Sequence, residues 1–331
     1  MKILITLLFF CITALSASEE LFELESFNYS MENDAVVDTD FGYTHGAKIA
    51  LMYYRGNTTN SYLNIPFTSY ESTNNFISIA YANQMYNPSD INETALIEDD
   101  RPYAGYSYIE VGLHQSTKNN LDSLTVELGV IGPSSGMESL QNSIHDKIDA
   151  NHANGWDNQL KDEYIFQLNY MHKWRQVYDD IANLNSVLVP YLGAELGNKS
   201  TKISAGALYR IGLNIPSDYG VNSMNEGSFS SVPTHSKSIV NSSSKWSIYL
   251  NLSGGANLVL RDIFLDGNTF KDSHSVDKNT LNAYVMTGIT FKYKHFLLDF
   301  FHNYYTKEFD NRALNETYKG YSSIIFTYNF E

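Results

Sequence analysis

Three groups of polar side chains carry the chemistry that this chain could perform. The first is Glu32-Asn33-Asp34, followed by Asp38, Asp40 and Tyr43-Thr44-His45-Gly46. Carboxylate, amide and hydroxyl oxygens of this kind suit a hard divalent cation such as Ca²⁺. The same residues also suit a plain solvated turn. The second is Asp99-Asp100-Arg101-Pro102-Tyr103-Ala104-Gly105. An Asp–Arg pair beside a strand can clamp the wall of a fold, or its guanidinium can fork onto a substrate phosphate or carboxylate. The third is His145, in Gln141-Asn142-Ser143-Ile144-His145. Histidine is the commonest general base, although a lone histidine is more often structural.

The elements that must hold these residues are strands. Leu124, Val126, Leu128 and Val130 alternate with Thr125, Glu127 and Gly129. Tyr164, Phe166, Leu168 and Tyr170 repeat the pattern, as do Trp246, Ile248, Leu250 and Leu252, and Ile324, Phe326, Tyr328 and Phe330. A period of two means one apolar and one polar face. Strands are predicted near 22–31, 42–55, 75–85, 103–115, 121–131, 163–176, 186–198, 201–214, 245–260, 280–293, 296–309 and 320–330. An even count closes a bacterial barrel and leaves no unpaired edge in lipid. The fold class predicted is all-β, a transmembrane antiparallel barrel of about twelve strands. One stretch breaks the rhythm: Met137, Leu140, Ile144 and Ile148 sit three or four apart, so a short helical insertion is predicted near 135–152, from Ser134-Ser135-Gly136 to a stop at Asn154-Gly155. The Ser-, Asn- and Gly-rich segment 215–244 reads as an external loop.

Residues 1–17 read as a secretory signal: Lys2, an apolar run from Ile3 to Leu15, then Ala14-Leu15-Ser16-Ala17 as a cleavage site. A single barrel domain is expected over 18–331. The one cysteine, Cys11, lies inside that signal, so thiol chemistry and disulfides are not expected in the mature chain. Aromatics make up 14% of residues, with 25 Tyr against 18 Phe, as suits a water–lipid boundary. The formal charge of −15 argues against a nucleic-acid partner.

Taken in order, the polar motifs resemble one family. Glu32-Asn33-Asp34, Tyr43-Thr44-His45-Gly46, Gln84-Met85-Tyr86-Asn87-Pro88, Asp100-Arg101-Pro102-Tyr103-Ala104-Gly105, Ile131-Gly132-Pro133, Gln141-Asn142-Ser143-Ile144-His145 and Gly155-Trp156-Asp157-Asn158-Gln159 look like successive motifs of the outer-membrane lipid A 3′-O-deacylases, the LpxR family. The resemblance is specific over about residues 25–165. It implies a twelve-stranded barrel in the bacterial outer membrane that removes the 3′-linked acyloxyacyl group of lipid A with Ca²⁺. His145 then matches the catalytic histidine, Thr44 an active-site hydroxyl, and Asn33 and Asp34 the polar pair near the metal. Asp149 is the nearest acid to Asn151, where the family has a glutamate, and is expected as a further metal ligand. Asp149 or Glu163 is expected to orient the imidazole. Arg101 and Asp100 are expected to bind substrate. A family lysine has no counterpart in Ser89-Asp90-Ile91-Asn92-Glu93. The expected partners are lipopolysaccharide and outer-membrane lipids, with the protein a monomer.

The mechanism expected is His145 as general base towards water, with Ca²⁺ stabilising the oxyanion. No Gly-x-Ser-x-Gly elbow argues for a serine route. The rival readings are an outer-membrane phospholipase using Ser-His-Asn, and a passive porin-like barrel. Ser143 stands two residues from His145, on nearly the opposite side of a helix, and is a poor partner for it.

Overall fold

The computed structural model describes residues 22–34, 42–56, 64–65, 68, 73–181, 184–221, 231–310 and 318–331. The signal expected at 1–17 lies outside them. Twelve strands form one antiparallel meander. They are β1 (Glu23–Asn33), β2 (Gly42–Gly56), β3 (Asn74–Asn87), β4 (Ala104–Ser116), β5 (Asn120–Ile131), β6 (Glu163–Trp174, resuming after Arg175 as Gln176–Ile181), β7 (Leu184–Gly197), β8 (Ser200–Leu213), β9 (Trp246–Asp262), β10 (Leu281–Tyr293), β11 (Phe296–Thr306) and β12 (Tyr318–Asn329). The last strand pairs with the first, from Ser26↔Asn329 to Asn33↔Ser322. With β6 paired to β7 through Gln167↔Gly197, the sheet closes on itself.

The barrel turns its apolar side chains outward. Leu250 is 51% exposed, whereas its neighbour Asn251 is 2% exposed. In water this inversion would be unstable; in a bilayer the hydrocarbon accepts the outer face. The lumen takes the charges in pairs, Lys48 with Glu110 at 2.9 Å and Lys199 with Glu127 at 2.7 Å. In these two pairs the buried charge is tolerated because the cation has a carboxylate partner.

The lumen is also filled from one end. The described parts of the connection from β8 to β9, residues 214–221 and 231–245, do not project outward as the external loop expected. Their Tyr219, Val221 and Val232 join Met52, Phe76 and Val189 in a buried cluster. Arg210 and Asp218 form a buried ion pair at its base, and the Tyr219 hydroxyl donates to the Thr117 carbonyl at 2.8 Å. Ser236 Oγ and the Lys237 backbone N–H donate to the Glu25 carboxylate at 2.9 and 2.6 Å. This connection therefore folds into the end that carries both termini, opposite the end where β1 stops at Asn33.

The predicted helix is present as α1 (Met137–Ile148), preceded by a 3₁₀ turn at Pro133–Ser135. Gly136 is its N-cap, as the sequence suggests. It stops earlier than Asn154-Gly155, at Asp149, whose left-handed φ of 58° ends the helical run. A second, one-turn helix, α2 (Ile263–Asp266), follows β9. No helix among the described residues is long and apolar enough to cross a membrane.

Candidate functional site

The site end of the barrel is organised around one row of paired residues. Asn33 of β1 pairs with His45 of β2, His45 with Met85 of β3, and Met85 with Gly105 of β4. Residues paired directly across strands share a face, and this is the outer face. Thr44 is the extra residue of a bulge in β2, between Tyr43 and His45. Bulges re-aim side chains beside functional sites. Here the Thr44 carbonyl accepts from the Asp34 N–H at 3.3 Å and from Asn33 Nδ2 at 3.2 Å. Asn33, Asp34 and Thr44 are thus drawn into one knot. Asp34 is buried, and the buried Thr44 Oγ1 has no hydrogen bond among the described residues.

The motif Tyr43-Thr44-His45-Gly46 acquires a packing reason. The Tyr43 hydroxyl crosses Gly46 to reach Glu32 Oε2 at 2.5 Å. A Cβ at Gly46 would stand 1.8 Å from that hydroxyl. Ser323 donates to the other oxygen of Glu32 at 3.1 Å. Glu32 therefore braces the inner wall behind the knot and does not face the outside.

α1 lies against the outer wall. Gly105 makes this possible, because a Cβ there would come within 2.4–2.5 Å of Ser135 Oγ and Met137 Cβ. Met137 packs with Met85, Ile91, Tyr103 and Trp156. The buried stripe of the helix is Met137, Gln141 and His145, spaced by four. It is rotated from the apolar stripe predicted, and Ile148 is 65% exposed. Two polar side chains thus face the barrel wall. Gln141 is fixed by Trp156, whose Nε1 donates to Gln141 Oε1 at 2.7 Å. Asn142 Oδ1 accepts from the Ala153 N–H at 3.1 Å. These bonds tie Gln141-Asn142-Ser143-Ile144-His145 to Gly155-Trp156-Asp157-Asn158-Gln159 as one unit. Ser143 is exposed while His145 is buried, as expected for positions two apart.

The imidazole of His145 is oriented by a backbone carbonyl. Its Nδ1 is hydrogen-bonded to the carbonyl oxygen of Asn151. A carbonyl can only accept, so Nδ1 carries the proton and Nε2 is left as the basic atom. Neither acid expected in this role performs it. Asp149 is exposed at the helix C-cap, donating its N–H to the His145 carbonyl. Glu163 is occupied elsewhere, accepting from Asn198 Nδ2 at 2.9 Å and the Thr269 N–H at 2.8 Å.

Asp100 and Arg101 are both buried. The Asp100 carboxylate accepts from the Ser89 N–H at 2.6 Å and the Arg101 N–H at 2.7 Å. Arg101 Nη2 donates to Glu308 Oε2 at 2.6 Å, with the guanidinium beside the rings of Tyr86 and Phe309. These contacts join the loop before β4 to the residues after β11, which is the clamp of the two roles considered for the pair.

A cation at this site would meet oxygen donors. No group of three or more His, Cys, Asp or Glu that could hold a metal occurs among the described residues. Asp34 and the unengaged Thr44 Oγ1 offer a partial shell of hard ligands, which fits Ca²⁺ better than a thiophilic or imidazole-seeking metal. Asp38 and Asp40 lie outside the described residues.

Fold and site together define a class: an outer-membrane β-barrel with a filled lumen and a polar site between its outer wall and a docked helix. The family model described as outer membrane protein LpxR matches residues 3–330. The chain belongs to that family and resides in the outer membrane. Among solved structures, LpxR from Salmonella typhimurium superposes with a TM-score of 0.72 at 20% identity, over 92% of this chain and 100% of that one. At that identity the likeness is one of fold. The beta domain of the Bordetella autotransporter Brka matches at a TM-score of 0.43 and 7% identity, covering 94% and 100% of the two chains. The translocator domain of NalP from Neisseria meningitidis matches at 0.41 and 8%, covering 96% and 94%. A search of curated proteins found no match.

The sequence reading missed Gln141 and the Asn151 carbonyl. Gln141 had a usable signal, since it stands four residues before His145 on the same helical face. The carbonyl had none, because a backbone acceptor is not encoded in residue type.

Proposed function

We propose that this chain is a lipid A 3′-O-deacylase. The observation that carries the reading is the buried His145, with Nδ1 committed to the Asn151 carbonyl and Nε2 left as the acceptor nitrogen, on a helix that packs on the outside of a barrel of the LpxR family. A base on the outer wall can reach an ester whose acyl chains stay in the leaflet.

In the reaction, His145 Nε2 takes a proton from water as the water oxygen adds to the ester carbonyl carbon. Collapse of the tetrahedral intermediate breaks the bond to the 3′ oxygen. The imidazolium returns its proton to that oxygen. The products are a free acyloxyacyl acid and a 3′ hydroxyl. Thr44 Oγ1 is a hydroxyl donor for the water or the developing oxyanion. Asp34, with the oxygens of Thr44 and Asn33, would hold a Ca²⁺ ion, which would supply Lewis-acid stabilisation of the oxyanion. Asp149 stays outside this donor set because its carboxylate is exposed at the helix end. Asp100 and Arg101 hold the loop under α1 rather than the substrate.

The test is purified protein incubated separately with lipid A and with diacyl phospholipid, with and without a calcium chelator, and the products weighed by mass spectrometry. The reading expects loss of the 3′ acyloxyacyl group from lipid A, suppressed by chelation. Release of fatty acid from phospholipid alone would refute it.

A further inference from the structure

The row that begins at Gly105 and passes through Asn33 continues around the barrel. Asn33 pairs with Ser322 of β12, Ser322 with His302 of β11, and His302 with Thr287 of β10. Four polar side chains thus stand side by side on the outer face. The next outward row towards the termini is wholly apolar, Met31↔Ile324, Ile324↔Phe300, Phe300↔Ile289 and Ile289↔Leu250. On the other side, Gly320 pairs with Tyr304 and Tyr304 with Val285. Both flanking rows expose large apolar side chains, Ile324 at 41% and Val285 at 53%. The polar row therefore lies within the lipid-facing surface, in a groove of about 620 Å³ whose lining includes Asn33, Ser322 and His302.

An imidazole on a lipid-facing wall is costly and is by default a functional feature. His302 Nδ1 is satisfied by Ser322 Oγ at 2.9 Å. Its Nε2 is buried and has no hydrogen bond among the described residues. The His302 ring packs edge-on against Tyr304, with centroids 4.1 Å apart, and the backbone at Gly320 passes close by, since an added Cβ there would lie 3.5 Å from Nε2. A lipid can satisfy such an atom with a polar group of its own, such as an ester carbonyl or an acyl-chain hydroxyl.

We propose that Ser322 and His302 form a subsite for the ester region of lipid A, with Nε2 hydrogen-bonding an ester carbonyl and neighbouring acyl chains lying along Phe300, Ile289 and Ile324. The proposal rests on the deacylase reading, because the row connects the subsite to Asn33 of the site knot. A nucleophilic Ser322 is the competing use of the same pair, and the geometry disfavours it. Nε2 lacks the acceptor that orients a catalytic imidazole. The surrounding N–H groups are spent in the strand ladder and cannot form an oxyanion hole.

The test uses full-length protein in detergent carrying His145→Ala, so that binding is read without turnover. Native mass spectrometry is run with hexa-acylated lipid A as the probe. Adding His302→Leu, whose side chain matches its apolar neighbours, is expected to weaken retention about threefold to tenfold, the value of one net hydrogen bond. His302→Gln, which keeps a donor, should restore most of it. Ser322→Ala should weaken it likewise, and it serves as the deciding variant if His302→Leu loses the heat-modifiable mobility of a folded barrel. Equal retention by the parent and the folded variants would overturn the proposal. So would covalent labelling of Ser322 by a fluorophosphonate, which would make it a nucleophile. If otherwise wild-type protein fails to deacylate lipid A while His302-dependent retention persists, the deacylase reading falls and the subsite stands.

Discussion

Nδ1 of His145 is spoken for by a backbone carbonyl, so the proposed reaction runs through Nε2. Replacing His145 with alanine should lower lipid A deacylation by roughly 10²–10⁴-fold, the usual worth of a positioned general base. Initial rates on purified lipid A check this, and a loss below threefold would remove His145 from the reaction. Asn151 contributes through its carbonyl, so Asn151→Ala should keep most activity. Collapse of activity in that variant, with the barrel folded, would point to the side chain instead. Thr44 tests the knot at β1 and β2. Thr44→Val keeps the shape and removes only the hydroxyl that has no hydrogen bond among the described residues. Such a swap costs folding little, since no existing bond is broken. Activity should nevertheless fall about tenfold or more, with the calcium concentration needed for half-activity raised. Unchanged activity and calcium response would place that oxygen outside the site.

At the scale of elements, α1 is held on the wall by contacts that the motifs encode. Gly105 is the docking surface, and Gln141 with Trp156 is the latch. Gly105→Val should push α1 from the wall and abolish deacylation while the strands, whose ladder it leaves intact, keep the barrel folded. Heat-modifiable electrophoretic mobility with a parallel rate measurement separates the two effects. Full activity in that variant would mean that α1 need not sit where it does. Legibility in the sequence divides along the same line. Strands were readable because outward and inward residues alternate strictly, as in Leu250 and Asn251. The helix was readable, but its orientation was not. Apolar periodicity identifies the face that meets a greasy surface, and α1 instead turns Gln141 and His145 to the wall and leaves Ile148 exposed. The β8–β9 connection was misread for a related reason. Its composition is that of a surface loop, and among the described residues the Arg210–Asp218 pair, the Glu25 contacts and the buried Tyr219, Val221 and Val232 draw it inward.

The whole molecule is a filled cylinder. Paired charges and a re-entrant connection occupy the lumen among the described residues, and the proposed chemistry takes place on the outer surface. Reconstituted protein should therefore show no steady ion conductance in planar bilayers, and stepwise conductance would restore the porin-like reading. The protein should also leave membranes only with detergent. The central claim, that a wall-mounted His145 deacylates a lipid from its own leaflet, is tested most directly by mass spectrometry of lipid A from cells expressing either the wild-type chain or His145→Ala at matched levels of folded barrel. The wild type should lower the mass of lipid A by one acyloxyacyl group at the 3′ position, and His145→Ala should leave it whole. Lipid A of identical mass in both strains, whether intact or shortened, would contradict the account.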